Sequence, residues 1–469
     1  MGKRAAKSDA KNKVLVQGHV SRRGFLRSLG LAGASLLSPL GSRVYAAPQD
    51  YVGRLFITVQ ADGGWDVTSF CDPKMNVPGE NKINFWADND ETRVSGNIAY
   101  APFADNQSFF EKYQNDMLVI NGIDAQTNSH TTGVVHNWSG RVSEGYPSLA
   151  ALFASIQAPQ LPFSYISNGG YSATAKLINS TRFSNPRLLA NILSPREFTW
   201  DHTRPWARPE EWAIINRARE VRLQRLIDER SALPRQRGNR QNALSALQQS
   251  EQLTDFANSL PADEDLKEVV LLPHSGVRSS AQRQIQLMLL AFQQGMACSG
   301  DVVMSGFDTH IDHSPQHEEL LGELTNSIDY LWTYAEELGI ANRLTVLINS
   351  DFGRTPHYNS SNFGKDHWPI GSAIVMERNA AWGNRVVGLT DEGHNALSIN
   401  PSTLQRDDVN GTIIYPKHLH LAMRRYLGIT DHAFTQTFPF NNTEEFDFFN
   451  PGLMTAGRLS DPRNTLRTV

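Results

Sequence analysis

Four short runs rich in apolar, β-branched residues alternate with helical patterns along this chain, and that order is its strongest constraint. The runs are Leu55–Val59, Met117–Ile120, Asp301–Met304 and Leu344–Ile348. Continuous runs of this kind suit strands buried on both faces, as in a parallel sheet. Between them, Ala281–Ala297 carries Ile285, Met288, Leu289 and Phe292 at helical spacing. Pro315–Leu338 carries Leu320, Leu321, Leu324, Ile328, Leu331 and Trp332, with Pro315 placed to open a helix. Strand–helix–strand order implies right-handed crossovers and a layered α/β fold, a mostly parallel sheet with helices on both faces. Residues 205–260 break the pattern. Glu210, Glu211 and Trp212 precede a run of arginines from Arg217 to Arg230 and then a Gln-rich stretch. They read as charged surface helices, a helical insertion covering the sheet.

A length of 469 residues allows two or three domains, or one large α/β domain with insertions. With 40% hydrophobic and 20% charged residues, the composition is globular. It excludes wholesale disorder and a polytopic membrane protein. The formal net charge of −4 is uneven, because residues 1–46 hold nine Lys and Arg against one acid, Asp9. The remaining acidic body argues against nucleic acid as the main partner. Two cysteines, Cys71 and Cys298, exclude a disulfide scaffold and a Cys-based zinc finger and leave one disulfide open. Phosphate-cradling loops are absent: there is no G-x-x-x-x-G-K-S/T, and Ala61-Asp62-Gly63-Gly64 is not G-x-G-x-x-G.

The first 46 residues have the layout of an export signal. Arg22 and Arg23 precede Gly24-Phe25-Leu26, an apolar stretch runs from Leu29 to Leu40, and Val44-Tyr45-Ala46 supplies a cleavage site. The paired arginines resemble the twin-arginine signal of bacteria. The other reading, a membrane anchor, fails on length, because Leu29–Leu40 is too short for ~30 Å of hydrocarbon. The expectation is a signal peptide over 1–46 and an α/β domain over 47–469. The protein is then periplasmic or secreted, with the twin-arginine export machinery as a partner and no stable membrane span after cleavage.

Ligands of open α/β sheets bind beyond the carboxyl ends of the strands. Three of the predicted strands finish in acids within Gly-containing turns: Asp62 and Asp66, then Asp308, then Asp351. Thr309 and His310 follow Asp308, with His313 close behind, and Asp366-His367 follow Asp351 after a Gly-containing loop. A lone acid in a loop is usually a turn or cap residue. Asp and His together on separate strand ends are ligands for Zn²⁺, Mn²⁺ or a similar ion, so the joint pattern points to a shared metal site.

Here a resemblance enters. Ser350-Asp351-Phe352-Gly353-Arg354-Thr355-Pro356 and Asp366-His367-Trp368 resemble the SEFGRTP…DHG signature of the domain-of-unknown-function family 1501. Its members are bacterial proteins, often with twin-arginine signals, of the alkaline phosphatase and sulfatase superfamily. Phe307-Asp308-Thr309-His310 matches the family's W/F-D-T-H element, Gly63-Gly64-Trp65-Asp66 its G-G-x-D turn, and Ser129-His130 its S-H element. The resemblance spans Arg54 to Gly428.

That resemblance implies an alkaline-phosphatase-like fold and a two-metal hydrolase of phosphate or sulfate esters. The divalent ions are Zn, Mn, Mg or Ca, two of them if the protein is catalytic. Asp66 would bind or bridge a metal, Asp308 and His310 would serve one ion, and Asp351 with His367 the other. The nucleophile would be a hydroxyl near the N-terminus of the helix after the second strand. Ser129 matches by motif, with Thr131 and Thr132 in reach. Arg354 would grip a small anionic ester, or else form an ordinary salt bridge. There are departures. Asp351 stands where the family usually has Glu, and Phe352 where alkaline phosphatases place a metal-binding His. Thr-Thr-Gly-Val-Val follows Ser129-His130, which leaves His136 as a substitute ligand. No Cys-x-Pro-x-Arg motif surrounds either cysteine, which argues against a formylglycine-dependent sulfatase. Two alternatives stand beside it: a non-catalytic cell-envelope binding or assembly protein that keeps the fold with a degenerate metal site, and a single-metal enzyme acting on another anionic substrate.

Overall fold

From Leu55 to Ala61 every side chain is buried, so the strand they form, β1 (Leu55–Asp62), lies covered on both faces at the middle of the sheet. The computed structural model describes residues 51–182, 208–229, 250–360 and 362–454, with single positions at 233, 236, 240 and 244. The export signal expected over 1–46, with Arg22 and Arg23, lies outside the described residues.

Seven further strands complete the sheet: β2 (Met117–Asp124), β3 (Tyr165–Ile166), β4 (Ser180–Thr181), β5 (Ser299–Ser305), β6 (Leu344–Ser350), β7 (Ile370–Glu377) and β8 (Arg385–Val387). Their spatial order is β8-β2-β7-β6-β1-β5-β3-β4. All neighbours are parallel except β7, which runs antiparallel between β6 and β2. The fold is therefore mixed α/β with a large, mostly parallel central sheet. All four apolar runs of the sequence lie in it, and β7 is an additional central strand.

The intervening helices include α1 (His130–Ser139), α2 (Leu149–Gln157), α3 (Pro209–Asp228), α4 (Ser250–Ser259), α5 (Ala281–Gln293) and α6 (His313–Glu337). Helix α2 lays Phe153 against Phe56 of β1 with ring centroids 5.5 Å apart. Burying a side chain of that size contributes ~1.5–3 kcal/mol. Helix α6 starts two residues before Pro315, which sits in the first turn, where its missing N–H costs nothing. Helices α3 and α4 fall within the charged segment at 205–260. Cys71 and Cys298 are both buried and are not joined in a disulfide. Among the described residues, no helix is long and apolar enough to cross a membrane.

Register positions the site. Ala61 lies opposite Ser350 of β6, and Asp62 opposite Ser305 of β5. The residues that follow, Gly63–Asp66, Phe307–Asp308 and Asp351, thus leave the sheet at one edge. Beyond β6, Gly353–Arg354 pairs antiparallel with His367–Trp368, setting Arg354 opposite His367. That pairing folds the loop at 355–366 back over the same edge.

Candidate metal centre

The Gly63–Gly64 turn knits the strand ends together. Gly63 N–H donates to Asp351 Oδ1 at 3.0 Å, and the Gly64 and Trp65 N–H groups both donate to Ser350 Oγ at 3.1 Å. The turn needs glycine at Gly63, where φ is +120° and a Cβ would stand 2.5 Å from the Asp308 nitrogen. The turn's carbonyls face the other way. Gly64 O accepts Arg354 Nε–H at 2.8 Å, and Gly63 O accepts from the same guanidinium.

Three imidazoles gather around Asp308. Its Oδ1 lies 3.0 Å from His310 Nε2, 3.1 Å from His367 Nε2 and 3.4 Å from His130 Nε2. In each ring the other nitrogen faces an acceptor. His367 Nδ1 is 2.8 Å from the Asn128 carbonyl, His310 Nδ1 is 2.8 Å from Asp366 Oδ1, and His130 Nδ1 contacts Asp351 Oδ2. An Nδ1 facing a carbonyl or carboxylate carries its proton, which leaves the Nε2 lone pair bare. Three bare lone pairs then point at one carboxylate. The Nε2 atoms of His310 and His367 even face each other at 2.9 Å, and His130 Nε2 is a buried nitrogen without a hydrogen-bond partner. A cation satisfies such an arrangement, and His130, Asp308 and His367 present ligand atoms all within 4.8 Å of one another.

Burial would raise the Asp308 carboxyl, but the Arg354 guanidinium, 2.5 Å away, outweighs it and holds the group at about 2. The Asp351 contact raises the affinity of His130 for a proton, against burial. Asp62, half-buried beside these groups, is raised by burial and by the Asp351 charge.

The structure brings Asp308, His310 and His367 to one point and places Asp351 behind His130 rather than at that point. Asp66 does not face this cluster. It is fully buried in a second pocket, 2.7 Å from Lys365 Nζ and 3.0 Å from His313 Nε2. Arg354, expected to grip an anion, is fully buried. Its nitrogens bond to Gly63 O, Gly64 O, the Lys365 carbonyl and Asp308, so the geometry makes it a clamp between loops. His136 turns away, with Nδ1 2.8 Å from Ala125 O. Ser129 is the exposed N-cap residue of α1, but its side chain makes no cap hydrogen bond, and Thr131 and Thr132 lie in the first turn. Two residues escape the sequence reading. His130 hides behind Ser129, which draws the attention as a nucleophile. Lys365, directly before Asp366-His367, carries no motif of its own.

Comparison with known proteins gives a family model described as "Protein of unknown function (DUF1501)", matching residues 54–424. No curated protein matches the chain. Among solved structures the chain is similar to PsFucS1 sulfatase from Pseudoalteromonas sp., at 11% identity and a TM-score of 0.36, covering 82% of this chain and 69% of that one. It is similar to a 4S-sulfatase of Bacteroides thetaiotaomicron from a study of glycosaminoglycan metabolism, at 7% identity and a TM-score of 0.40, covering 85% and 77%. TAB5 alkaline phosphatase matches at 7% identity and a TM-score of 0.28, covering 70% and 91%.

Proposed function

The chain belongs to the DUF1501 family of proteins of unknown function, and we propose that it is an exported, metal-dependent hydrolase of phosphate or sulfate esters. One observation carries the reading: the Nε2 lone pairs of His130, His310 and His367 converge on Asp308, each ring fixed by an acceptor on its Nδ1. These residues would hold a divalent ion, which when bound supplies Lewis acidity toward an ester's phosphoryl or sulfuryl oxygen. The rest of the chemistry falls to the chain. The N-terminus of α1, whose first residue His130 reaches Asp308, carries the positive end of the helix dipole and would favour an anionic ester group. Ser129 at that helix end, with its hydroxyl uncommitted to capping, is the nucleophile this reading prefers over Thr131 and Thr132.

The test joins metal analysis to a substrate screen. Protein purified without chelator is assayed on phosphomonoester, phosphodiester and sulfate-ester substrates beside the Asp308→Asn and His367→Ala variants. The expected result is a bound divalent ion and turnover of one ester class, both lost in the two variants. Metal-free protein that binds no added Zn²⁺ or Mn²⁺ ends the proposal. Bound metal without turnover of any class moves the protein to the binding or assembly role. For export, the double variant Arg22→Lys with Arg23→Lys is expected to leave the precursor in the cytoplasm, and normal periplasmic accumulation refutes that route.

A further inference from the structure

Lys365 is fully buried, and its ammonium faces three oxygens: Asp66 Oδ2 at 2.7 Å, Asn84 Oδ1 at 3.1 Å and Thr68 Oγ1 at 3.2 Å. An ammonium has three N–H donors, so the contacts match its full capacity. Asp66 is the acid that the sequence pattern assigns to a metal, yet its oxygens are already crowded. Oδ1 accepts Thr68 N–H at 2.9 Å and Thr68 O–H at 2.6 Å. Oδ2 faces Lys365, His313 Nε2 at 3.0 Å and Ser69 Oγ at 3.1 Å. Burial alone would raise the Asp66 carboxyl, but Lys365 and His313 hold it well below the usual carboxylate range.

The neighbouring imidazoles are committed in the sense opposite to those around Asp308. His313 Nε2 faces an ionised carboxylate, and Thr309 Oγ1 stands 2.7 Å from its Nδ1. Its Nε2 therefore carries the proton and offers a metal nothing. His317 Nε2 accepts the Asp66 N–H at 2.8 Å, which uses its lone pair. A carboxylate and two imidazoles lie together here, as in a metal site, but each is spent on a hydrogen bond. The residues of this pocket do not fit a second ion.

We infer that the Lys365 ammonium takes the place of a second metal ion, so that the centre binds one divalent cation, among His130, Asp308, His310 and His367, rather than two. Three consecutive residues divide the work. Lys365 delivers a fixed positive charge to Asp66, Asp366 orients His310, and His367 faces Asp308. Arg354 links the two pockets, with Nη1 donating to the Lys365 carbonyl at 3.0 Å and Nη2 lying 2.5 Å from Asp308. The inference rests on the metal reading above and concerns its stoichiometry.

The experiment counts ions. Full-length protein is loaded with Zn²⁺, freed of excess by dialysis, and measured by native mass spectrometry and elemental analysis. Single substitution of Lys365 leaves a buried charge unpaired, so the informative variant is Asp66→Asn with Lys365→Met, which removes both charges at similar volume. The expected counts are one Zn²⁺ per chain in the wild type, one in that double variant, and none in Asp308→Asn. Two ions in the wild type overturn the inference. Loss of the ion in a double variant that keeps the wild-type circular dichroism spectrum also overturns it, because Asp66 would then be a ligand. No ion in the wild type overturns the metal reading itself, a different failure with a different count.

Discussion

The buried carboxylate of Asp351 touches His130 Nδ1, and this contact aims His130 Nε2 at Asp308 Oδ1, 3.4 Å away. Asp351 thus orients a residue that the proposed metal site would use as a ligand. Its other oxygen is fixed by Gly63 N–H at 3.0 Å.

That donor makes Asp351→Asn informative. It demands an oxygen, so the asparagine amide nitrogen must face His130. An N–H there reverses the imidazole tautomer, placing the proton on Nε2 and removing its lone pair from the cation site. Loss of such a partner behind a ligand typically weakens metal binding 10–100-fold. Titration with Zn²⁺ against a competing chelator is expected to show a loss in that range with the fold intact. Unchanged affinity would mean that His130 is not a ligand.

Ser129→Ala separates chemistry from capping. A serine whose side chain caps a helix contributes ~1 kcal/mol, but Ser129 makes no cap hydrogen bond. The variant is expected to lose under ~0.5 kcal/mol in denaturant unfolding. Its ester turnover is expected to fall at least ~100-fold, as befits a missing nucleophile, with metal content unchanged. Full turnover in Ser129→Ala transfers the role to Thr131 or Thr132.

Much of this architecture is legible in the chain, for identifiable reasons. β1, β2, β5 and β6 are apolar runs because each is covered on both faces, and α5 and α6 show helical spacing because each buries one face. β7 is harder to see. Gly371 and Ser372 interrupt its apolar run, and the interruption is structural: Ser372 Oγ donates to Asn121 Oδ1 of β2 at 2.6 Å, a buried polar pair inside the sheet. Asp308, His310 and His367 stand out because acids and imidazoles at strand ends are uncommon in combination. The roles of Asp66 and Lys365 are hidden, because a pattern cannot distinguish a carboxylate that meets a metal from one that meets an ammonium 299 positions later.

Gly63→Ala should damage fold and site together. At φ +120° an alanine is strained by ~1–3 kcal/mol, and its Cβ would meet the Asp308 nitrogen at 2.5 Å. Relief requires moving the Asp308 backbone, whose carboxylate is the centre of the cluster. Both the denaturation midpoint and Zn²⁺ affinity are expected to drop. A variant with normal affinity would show that the Gly63 turn does not position Asp308.

A final prediction lies in the core, in β5. Asp301 is buried, and its Oδ1 accepts the Tyr165 O–H at 2.7 Å. Burial pushes its carboxyl from 3.8 up to about 7, against the opposing hydrogen bond of Tyr165. The folded state therefore keeps a proton that the unfolded chain releases near 3.8. Where the folded state binds more protons, stability falls as pH rises. The contribution of Asp301 is thus most favourable below about pH 4, declines through the window up to about 7, and is flat above it. Asp301→Asn keeps an acceptor for Tyr165 and cannot ionise. Near pH 4 it should match the wild type, and at pH 8 it should be more stable by about 4 kcal/mol, since a shift of about three pKa units is worth ~1.4 kcal/mol for each unit. Urea unfolding of both proteins from pH 4 to pH 8 measures the difference, which isolates this one group from every other titration. A difference that stays constant across the range would show that Asp301 is ionised in the fold like an ordinary surface acid.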